Sequence, residues 1–153
     1  MKQTILLSAT LAMMLIYAGC KSSETTDPVS PWDPQIDPAD FVTTFSNPYF
    51  PFVPGRTLVY VGESDGELDS IEVFHSHNTK TVMGIQCVVI EFRQWINGEL
   101  VEVAFDWHAQ DNLGTVWYFG EHVDNYENGV IIDNDGSWEA GVDDALPGYS
   151  MEG

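Results

Sequence analysis

The sequence contains few basic residues. Lys and Arg together number 5 against 24 Asp and Glu, and the formal charge of the 153 residues at pH 7 is −19. A field of this sign repels nucleic acid and anionic lipid headgroups, so neither is expected as a partner. The charge instead favours a cation, a basic protein or a small ligand as partner, and it also keeps a protein soluble.

The longest apolar stretch lies at the N-terminus. Lys2 supplies a positive charge, residues 4–18 are mostly apolar and uncharged, and small residues precede Cys20. This pattern predicts a lipoprotein signal peptide over residues 1–19 and lipidation of Cys20, which anchors the protein to a membrane. An uncleaved signal anchor is the alternative, but a helix of this length reaches only about 24 Å, whereas the hydrocarbon core is about 30 Å thick.

The segment after the anchor is rich in Pro, Ser, Thr and Asp. Such a composition cannot bury enough apolar surface to fold alone, so residues 20–45 are expected to form a disordered tether before a domain at 46–153. Lys21 follows the cysteine where Asp would favour the inner membrane. We therefore expect the outer membrane in a bacterium with two membranes, and otherwise the outer face of the cytoplasmic membrane. The leaflet and the oligomeric state are not predicted.

Cysteine is nearly absent from the rest of the chain. With Cys20 acylated, Cys87 is the second and last cysteine, so an intramolecular disulfide is excluded. Cys87 lies within the apolar, strand-like run 85–92. We interpret it as a small buried hydrophobic residue and not as a nucleophile.

Long helical patterns are also lacking after residue 20, whereas strand patterns are frequent. Apolar and polar residues alternate over short segments, among them 70–77 and 99–107, and a turn is expected over 108–114. In the segment 115–120, Trp117 and Phe119 share one face and Tyr118 lies on the other. The Gly turns between segments, of which Asn97-Gly98 is the clearest hairpin signal, include Asp65-Gly66, Met83-Gly84 and Asn128-Gly129. The sequence predicts a mainly β domain, an antiparallel up-and-down meander that forms a curved sheet or a partly open barrel. Residues 148–153 show no closing strand, which favours a truncated form of a longer domain.

Several motifs resemble those of a group of exported bacterial proteins and lipoproteins to which no activity is assigned. They are Asn47-Pro-Tyr-Phe-Pro, Asp106-Trp-His-Ala-Gln-Asp, Val116-Trp-Tyr-Phe-Gly-Glu and Gly136-Ser-Trp-Glu-Ala-Gly. The resemblance covers most of residues 47–151 and implies a shared fold without implying a chemistry. His108 differs from the Tyr that similar proteins carry, and those proteins continue beyond residue 153.

The densest polar group combines Asp106, His108 and Asp111. Two carboxylates and an imidazole in one turn can act as acid and base or hold a metal. The alternative is that the two Asp side chains cap the turn by accepting backbone hydrogen bonds. We favour the capping role, because His108 occupies a position where similar proteins carry Tyr.

Two other pairs are candidate metal ligands. His75 and His77 are spaced for one strand face and could share Zn²⁺, although no third ligand is evident. Asp133 and Asp135 could hold Ca²⁺ through carboxylate oxygens. No resident cofactor is expected beyond these two candidate ions.

The sequence lacks a Ser/His/Asp nucleophile motif and a phosphate-binding Gly loop. It therefore predicts a membrane-anchored envelope lipoprotein that is a non-enzymatic binding or structural module. The alternative is a metal-assisted or carboxylate-based hydrolase that uses the turn from Asp106 to Asp111.

Overall fold

A computed structural model describes residues 32–153 of the protein. The predicted signal peptide, Cys20 and the first part of the predicted tether lie outside the described residues. A 3-10 helix, Pro38–Asp40, precedes nine strands: β1 Phe41–Val42, β2 Thr57–Ser64, β3 Glu67–Val82, β4 Ile85–Ile96, β5 Glu99–Asp111, β6 Val116–Glu127, β7 Val130–Asp133, β8 Trp138–Glu139 and β9 Gly148–Met151. The predicted mainly β class is confirmed.

Strands β2 to β7 are neighbours in the sheet in the same order as in the sequence. Each of these neighbouring pairs is antiparallel. This is the predicted up-and-down meander. The sheet is open and does not close into a barrel, because β2 and β7 end the path without pairing with each other.

The tight turns lie where the sequence predicts them. Asp65-Gly66, Met83-Gly84 and Asn97-Gly98 join the strands from β2 to β5, and both residues of each turn have positive φ. Asn128-Gly129 joins β6 to β7 in the same way. A two-residue turn of this kind matches the right-handed twist of the strands it connects. These four dipeptides therefore help to set the hairpin registers.

Strand β3 is longer than its predicted segment 70–77 and is irregular in the middle. Its register against β4 shifts between His75 and Thr79. Between these two pairs β3 has three residues, 76–78, and β4 has one, so β3 carries two extra residues that interrupt the simple alternation of faces. His77 lies inside this irregular stretch, so the alternation that would place it beside His75 does not hold there.

Three short strands share the outer edge of β6. From one end to the other, β9 pairs with residues 116–118, β8 with 120–121 and β7 with 125–127. The prediction that the last residues add no strand is wrong, because β9 forms there. The Tyr149 ring packs edge-on against Trp117 at 4.4 Å between centroids, a contact that local sequence patterns cannot reveal.

The packed unit begins before residue 46. The indole N–H of Trp32 donates to the carbonyl oxygen of Pro147 at 2.9 Å, and its ring lies 6.3 Å from that of Trp117. Strand β1 pairs with the end of β5. Part of the predicted tether, residues 32–45, therefore belongs to the domain, because its few apolar side chains find partners on the sheet.

The hydrophobic core lies on one face of the sheet, formed by β3 to β6. Its buried members are Val82, Ile85, Cys87, Val89, Trp107, Ala109, Trp117, Phe119 and Ala140. Cys87 is fully buried, as the pattern predicts, and burial raises the pKa of its thiol to about 12. A thiol in this state packs as an apolar group and is a poor nucleophile.

Gly120 allows β8 to approach β6. Its φ is +131°, and an added Cβ would overlap the Trp138 carbonyl oxygen and lie 2.9 Å from the Cα of Glu139. We expect Gly120→Ala to lower the free energy of unfolding by about 3 kcal/mol, because β8 must move and the backbone is strained. Urea denaturation measures this change.

The control is Gly62→Ala, because a Cβ placed at Gly62 has no atom of the described residues within 4 Å apart from its chain neighbours. Its effect should remain within about 0.5 kcal/mol of the wild type. Equal destabilisation by the two substitutions would contradict the proposed role of Gly120.

Candidate functional site

A pocket of about 350 Å³ lies at the irregular stretch of β3, against the segment that connects β1 to β2. We call it the bulge pocket. Small-molecule sites are usually concave and mainly apolar, with a few polar groups. The pocket has this character, and no Asp, Glu, Lys or Arg of the described part of the chain lines it. Its wall consists of Thr43, Thr44, Phe45, Phe52, Pro54, Ser76, His77, Asn78, Thr79 and Val88.

A local turn shapes the wall of the bulge pocket. The Ser76 hydroxyl accepts a hydrogen bond from the backbone N–H of Asn78 at 3.0 Å, as in the turns that Ser residues favour. A Cβ on Gly55 would lie only 3.1 Å from Nε2 of His77. The absence of a side chain at Gly55 therefore gives the exposed His77 ring its place at the pocket wall.

His75 lies behind the pocket and is buried. Its Nδ1 accepts the backbone N–H of Val53 at 3.0 Å, and its ring stacks on Phe52 with centroids 4.9 Å apart. Burial, the largest cause, lowers the pKa of His75. The imidazole is therefore neutral at pH 7 with its proton on Nε2, and it holds the segment that carries Phe52.

One member of each candidate metal pair is engaged in other hydrogen bonds. Nδ1 of His75 is committed to Val53, while His77 lies at the surface of the irregular stretch. Asp133 Oδ1 accepts hydrogen bonds from Asn125 Nδ2 at 2.6 Å and from the N–H of Asp135 at 3.1 Å. Within residues 32–153 no group of three or more His, Cys, Asp and Glu side chains could hold a metal ion.

Asp106 belongs to a cluster of carboxylates on the sheet face opposite the core. The Tyr118 hydroxyl donates to Asp106 Oδ1 at 2.7 Å, and Glu121 is the direct cross-strand partner of Asp106. Burial, followed by the charges of Glu121 and Glu102, raises the pKa of Asp106 to about 6 despite the hydrogen bond from Tyr118. Burial and then Glu121 also raise the pKa of Glu102. We call Glu102, Asp106 and Glu121 the carboxylate cluster.

His108 lies beside this cluster and is 8% exposed. Its ring stacks on Tyr118 at 4.7 Å between centroids and packs against Phe50 at 5.0 Å. Burial lowers its pKa to about 4, so the imidazole is neutral at pH 7. Its Nδ1 has no hydrogen-bond partner among the described residues, so the ring contributes aromatic surface rather than charge.

Asp111 does not join Asp106 and His108. The predicted turn over residues 108–114 is wrong in its first half, because β5 continues to Asp111. Asp111 Oδ1 accepts the N–H groups of Leu113 and Thr115, and its Oδ2 accepts the Trp117 indole N–H, each at 2.9 Å. The Asp111 carboxylate therefore holds the turn between β5 and β6, as the capping hypothesis predicts. The same hypothesis is wrong for Asp106, which lies inside β5 and accepts the Tyr118 hydroxyl instead of backbone N–H groups.

The sequence did not identify Tyr118 and Glu121 as partners of Asp106. The alternation in β6 does predict that Tyr118 lies on the other face of the sheet from Trp117 and Phe119, but it does not identify the residue that Tyr118 contacts. The sequence does not identify Glu121 as the partner of Asp106, because the register between β5 and β6 shifts by one residue between Trp107 and His108. Pairs on the two sides of this shift therefore follow different registers. A single shift of this kind cannot be read from either strand alone.

Two residues in the motifs that carry the resemblance meet in a buried amide network. The side-chain oxygen of Gln110 accepts the backbone N–H groups of Ser46 and Asn47 at 2.8 and 2.9 Å. Asn47 Nδ2 donates to the carbonyl oxygens of Gly114 and Glu152, both at 2.9 Å. These side chains fasten the start of the connecting segment to the sheet, and their role is structural.

A second, shallower pocket of about 330 Å³ contains a lysine that already has partners. Lys80 Nζ lies 3.5 Å from the centroid of the Trp107 ring and 2.8 Å from Glu139 Oε2. The cation–π contact with Trp107 and the ion pair with Glu139 already stabilise the Lys80 ammonium group, which reduces what it could contribute to binding a ligand. This pocket is therefore a weaker candidate for ligand binding than the bulge pocket.

The pKa of Asp106 predicts a pH-dependent substitution effect. The folded protein holds the proton with a pKa of about 6, against an ordinary value of 3.8. The unfolded chain therefore binds fewer protons between these values, and the wild type loses stability as the pH rises through them. Asp106→Asn cannot ionise, so its free energy of unfolding should rise relative to the wild type by at most about 3 kcal/mol between about pH 4 and pH 7.

Urea denaturation at several pH values measures this difference. Asp143→Asn removes one exposed carboxylate and controls for the overall charge. A difference between Asp106→Asn and the wild type that stays constant with pH would contradict the raised pKa.

Comparison with protein-family models, with curated proteins and with solved structures finds no match to this chain. Among residues 32–153 no helix is long and apolar enough to cross a bilayer.

Proposed function

We propose that the protein is a lipid-anchored binding protein of the bacterial cell envelope, and that the bulge pocket binds a small, mainly apolar ligand. The observation that carries the proposal is the lining of this pocket. The chain has 24 acidic residues, of which 22 lie within residues 32–153, and none of these 22 lines the pocket. Such a lining suits a ligand without net charge, because a charged ligand would lose its hydration without gaining a counter-charge.

The chemistry of the lining narrows the ligand class. Phe45, Phe52 and Val88 provide apolar surface, and the hydroxyl groups of Thr44 and Thr79 provide hydrogen-bonding groups. A volume of about 350 Å³ is near the lower limit for sites that enclose a drug-sized molecule. The proposed ligand is therefore a compact apolar molecule with one or two polar groups.

Filling the pocket should abolish binding without unfolding the protein. Thr79 is exposed and lines the pocket, so Thr79→Trp adds an indole where the ligand would lie. N-phenyl-1-naphthylamine, a neutral apolar dye, should bind the signal-free Cys20→Ala protein, with saturating fluorescence. The affinity should fall by about tenfold or more in Thr79→Trp, a loss of about 1.4 kcal/mol.

Thr81→Trp is the matched control, because Thr81 is also exposed on β3 and does not line the pocket. It should bind the dye as the wild type does. Dye binding that is equal in the two Trp variants, or absent from the wild type, would contradict the bulge pocket as a ligand site.

The anchor is supported by the residues that precede Cys20. We expect the full-length precursor to be processed before Cys20 and to carry acyl chains, which intact-mass measurement of the envelope-derived protein would detect. Cys20→Ala should remove the acyl mass and release the protein from the membrane fraction, because two or more chains are needed for stable anchoring. A wild-type protein that retains residues 1–19, or that carries no lipid, would contradict the anchor.

One observation favours a second candidate function, a carboxylate-based hydrolase. Asp106, with a pKa of about 6, can donate a proton near neutral pH, and Glu121 opposite it can accept one. In this hydrolase the second carboxylate would be Glu121 and not Asp111, because both carboxylate oxygens of Asp111 accept hydrogen bonds that hold the turn. Equal turnover of any hydrolysable ligand by the wild type and by Asp106→Asn would exclude it.

A further inference from the structure

Strand β2 forms an exposed edge of the sheet. It pairs with β3 over its whole length, from Thr57 opposite Phe74 to Ser64 opposite Glu67, without a register shift. No second neighbour of β2 occurs within residues 32–153. Eight residues of regular strand therefore present one row of backbone groups to the solvent.

The outward-facing groups can be assigned to individual residues. The N–H of His75 donates to the carbonyl oxygen of Arg56 at 2.9 Å, so Arg56 faces β3. In an antiparallel ladder, alternate residues turn their N–H and C=O groups toward the same neighbour. Leu58, Tyr60, Gly62 and Ser64 then face β3, whereas Thr57, Val59, Val61 and Glu63 face outward. The two-residue turn after Ser64 requires the same assignment, because its flanking pair is hydrogen-bonded.

This edge has few of the features that usually protect a strand from pairing. Natural edge strands carry charged side chains, especially Lys, or Pro or a bulge; β2 has no Lys, Pro or bulge, and its one charged residue is Glu63 near the turn. Val59 and Val61 are instead 65% and 67% exposed, and Tyr60 between them is 55% exposed. Both the backbone and the side chains of β2 are therefore suited to the addition of a strand.

The charge around the edge selects the partner. Glu63, Asp65, Glu67 and Asp69 lie at the β2–β3 end of the sheet, in a chain whose formal charge is −19. A second copy of this chain would bring the same negative charge, whereas a segment with Lys or Arg between apolar residues would neutralise it. Basic side chains would lie near the carboxylates, and apolar ones near Val59 and Val61.

We propose that the outer edge of β2 binds an extended, basic segment of another protein by strand addition. The interaction is independent of the bulge pocket, which lies at residues 76–79 of β3, beyond the part of β3 that pairs with β2. The backbone of Val59 and Val61 provides the hydrogen bonds, and the acidic β2–β3 turn provides the preference for a basic partner.

The first test needs no variant. In the envelope-derived protein, held in nanodiscs of zwitterionic lipid, hydrogen exchange at the amides of Val59 and Val61 should be fast, and that of Leu58 and Tyr60 slow. An eight-residue peptide that alternates Val or Thr with Lys should slow exchange at Val59 and Val61. Slow exchange at these two amides in the free protein would mean that the edge is already covered, and would overturn the proposal.

The second test separates backbone pairing from simple charge attraction. Val61→Pro removes one outward N–H and leaves the β2–β3 ladder intact, so peptide affinity measured by fluorescence anisotropy should fall by about tenfold. Val61→Thr keeps the N–H and the branched side chain, and should retain wild-type affinity. The wild type should show the same loss of affinity for a peptide that is N-methylated at alternate residues. This measurement tests backbone pairing even if the Val61→Pro variant does not fold.

Three results would overturn the proposal. The first is that Val61→Pro and Val61→Thr bind the peptide with equal affinity and that the wild type binds the methylated and unmethylated peptides equally. The second is that the wild type binds a peptide with Glu in place of Lys as tightly as the Lys peptide. The third is that the wild type forms a dimer in sedimentation and that Val61→Pro abolishes this dimer. The last result would identify a second copy of this chain as the occupant of the edge.

Discussion

Backbone pairing along β6 is the interaction on which the rest of the structure depends. β5 pairs with one edge of this strand, and β9, β8 and β7 share the other. Buried N–H and C=O groups must be paired, so the arrangement fixes the orientation of β6. Phe119 consequently enters the core, and Tyr118 faces the opposite side and bonds to Asp106. The core and the carboxylate cluster therefore lie on opposite faces of the sheet at β6.

The second face of the sheet is covered by a connecting segment rather than by another sheet. Phe45 lies 5.9 Å from Phe50 and 5.3 Å from Phe52 between ring centroids, and these rings shield His75 and His108. A loop supplies few backbone partners, so side chains such as Gln110 must accept its N–H groups. The bulge pocket lies at the margin of this cover, where β3 departs from regular pairing.

The shortage of cations determines how the buried ionisable groups behave. Lys80 and Arg93 are each paired with carboxylates, Lys80 with Glu139 and Arg93 with Glu72 and Glu91. The carboxylate cluster has no such partner among the described residues, so burial and mutual repulsion favour the protonated form of Asp106. The same excess of negative charge surrounds the open β2 edge, where it selects a basic partner.

The sequence by itself determined the strand class, the four Gly turns, the burial of Cys87 and the capping role of Asp111. These features depend on local rules, namely a two-residue period, positive φ and short-range hydrogen bonds. The lipid anchor remains a prediction from residues outside the described range. Only the tertiary structure decided that Gly148–Met151 is a strand, that Glu121 faces Asp106 and that His77 lies in a bulge. Register shifts and contacts between distant segments depend on the neighbouring strand as well as on the strand itself. The local sequence of one strand therefore does not determine them.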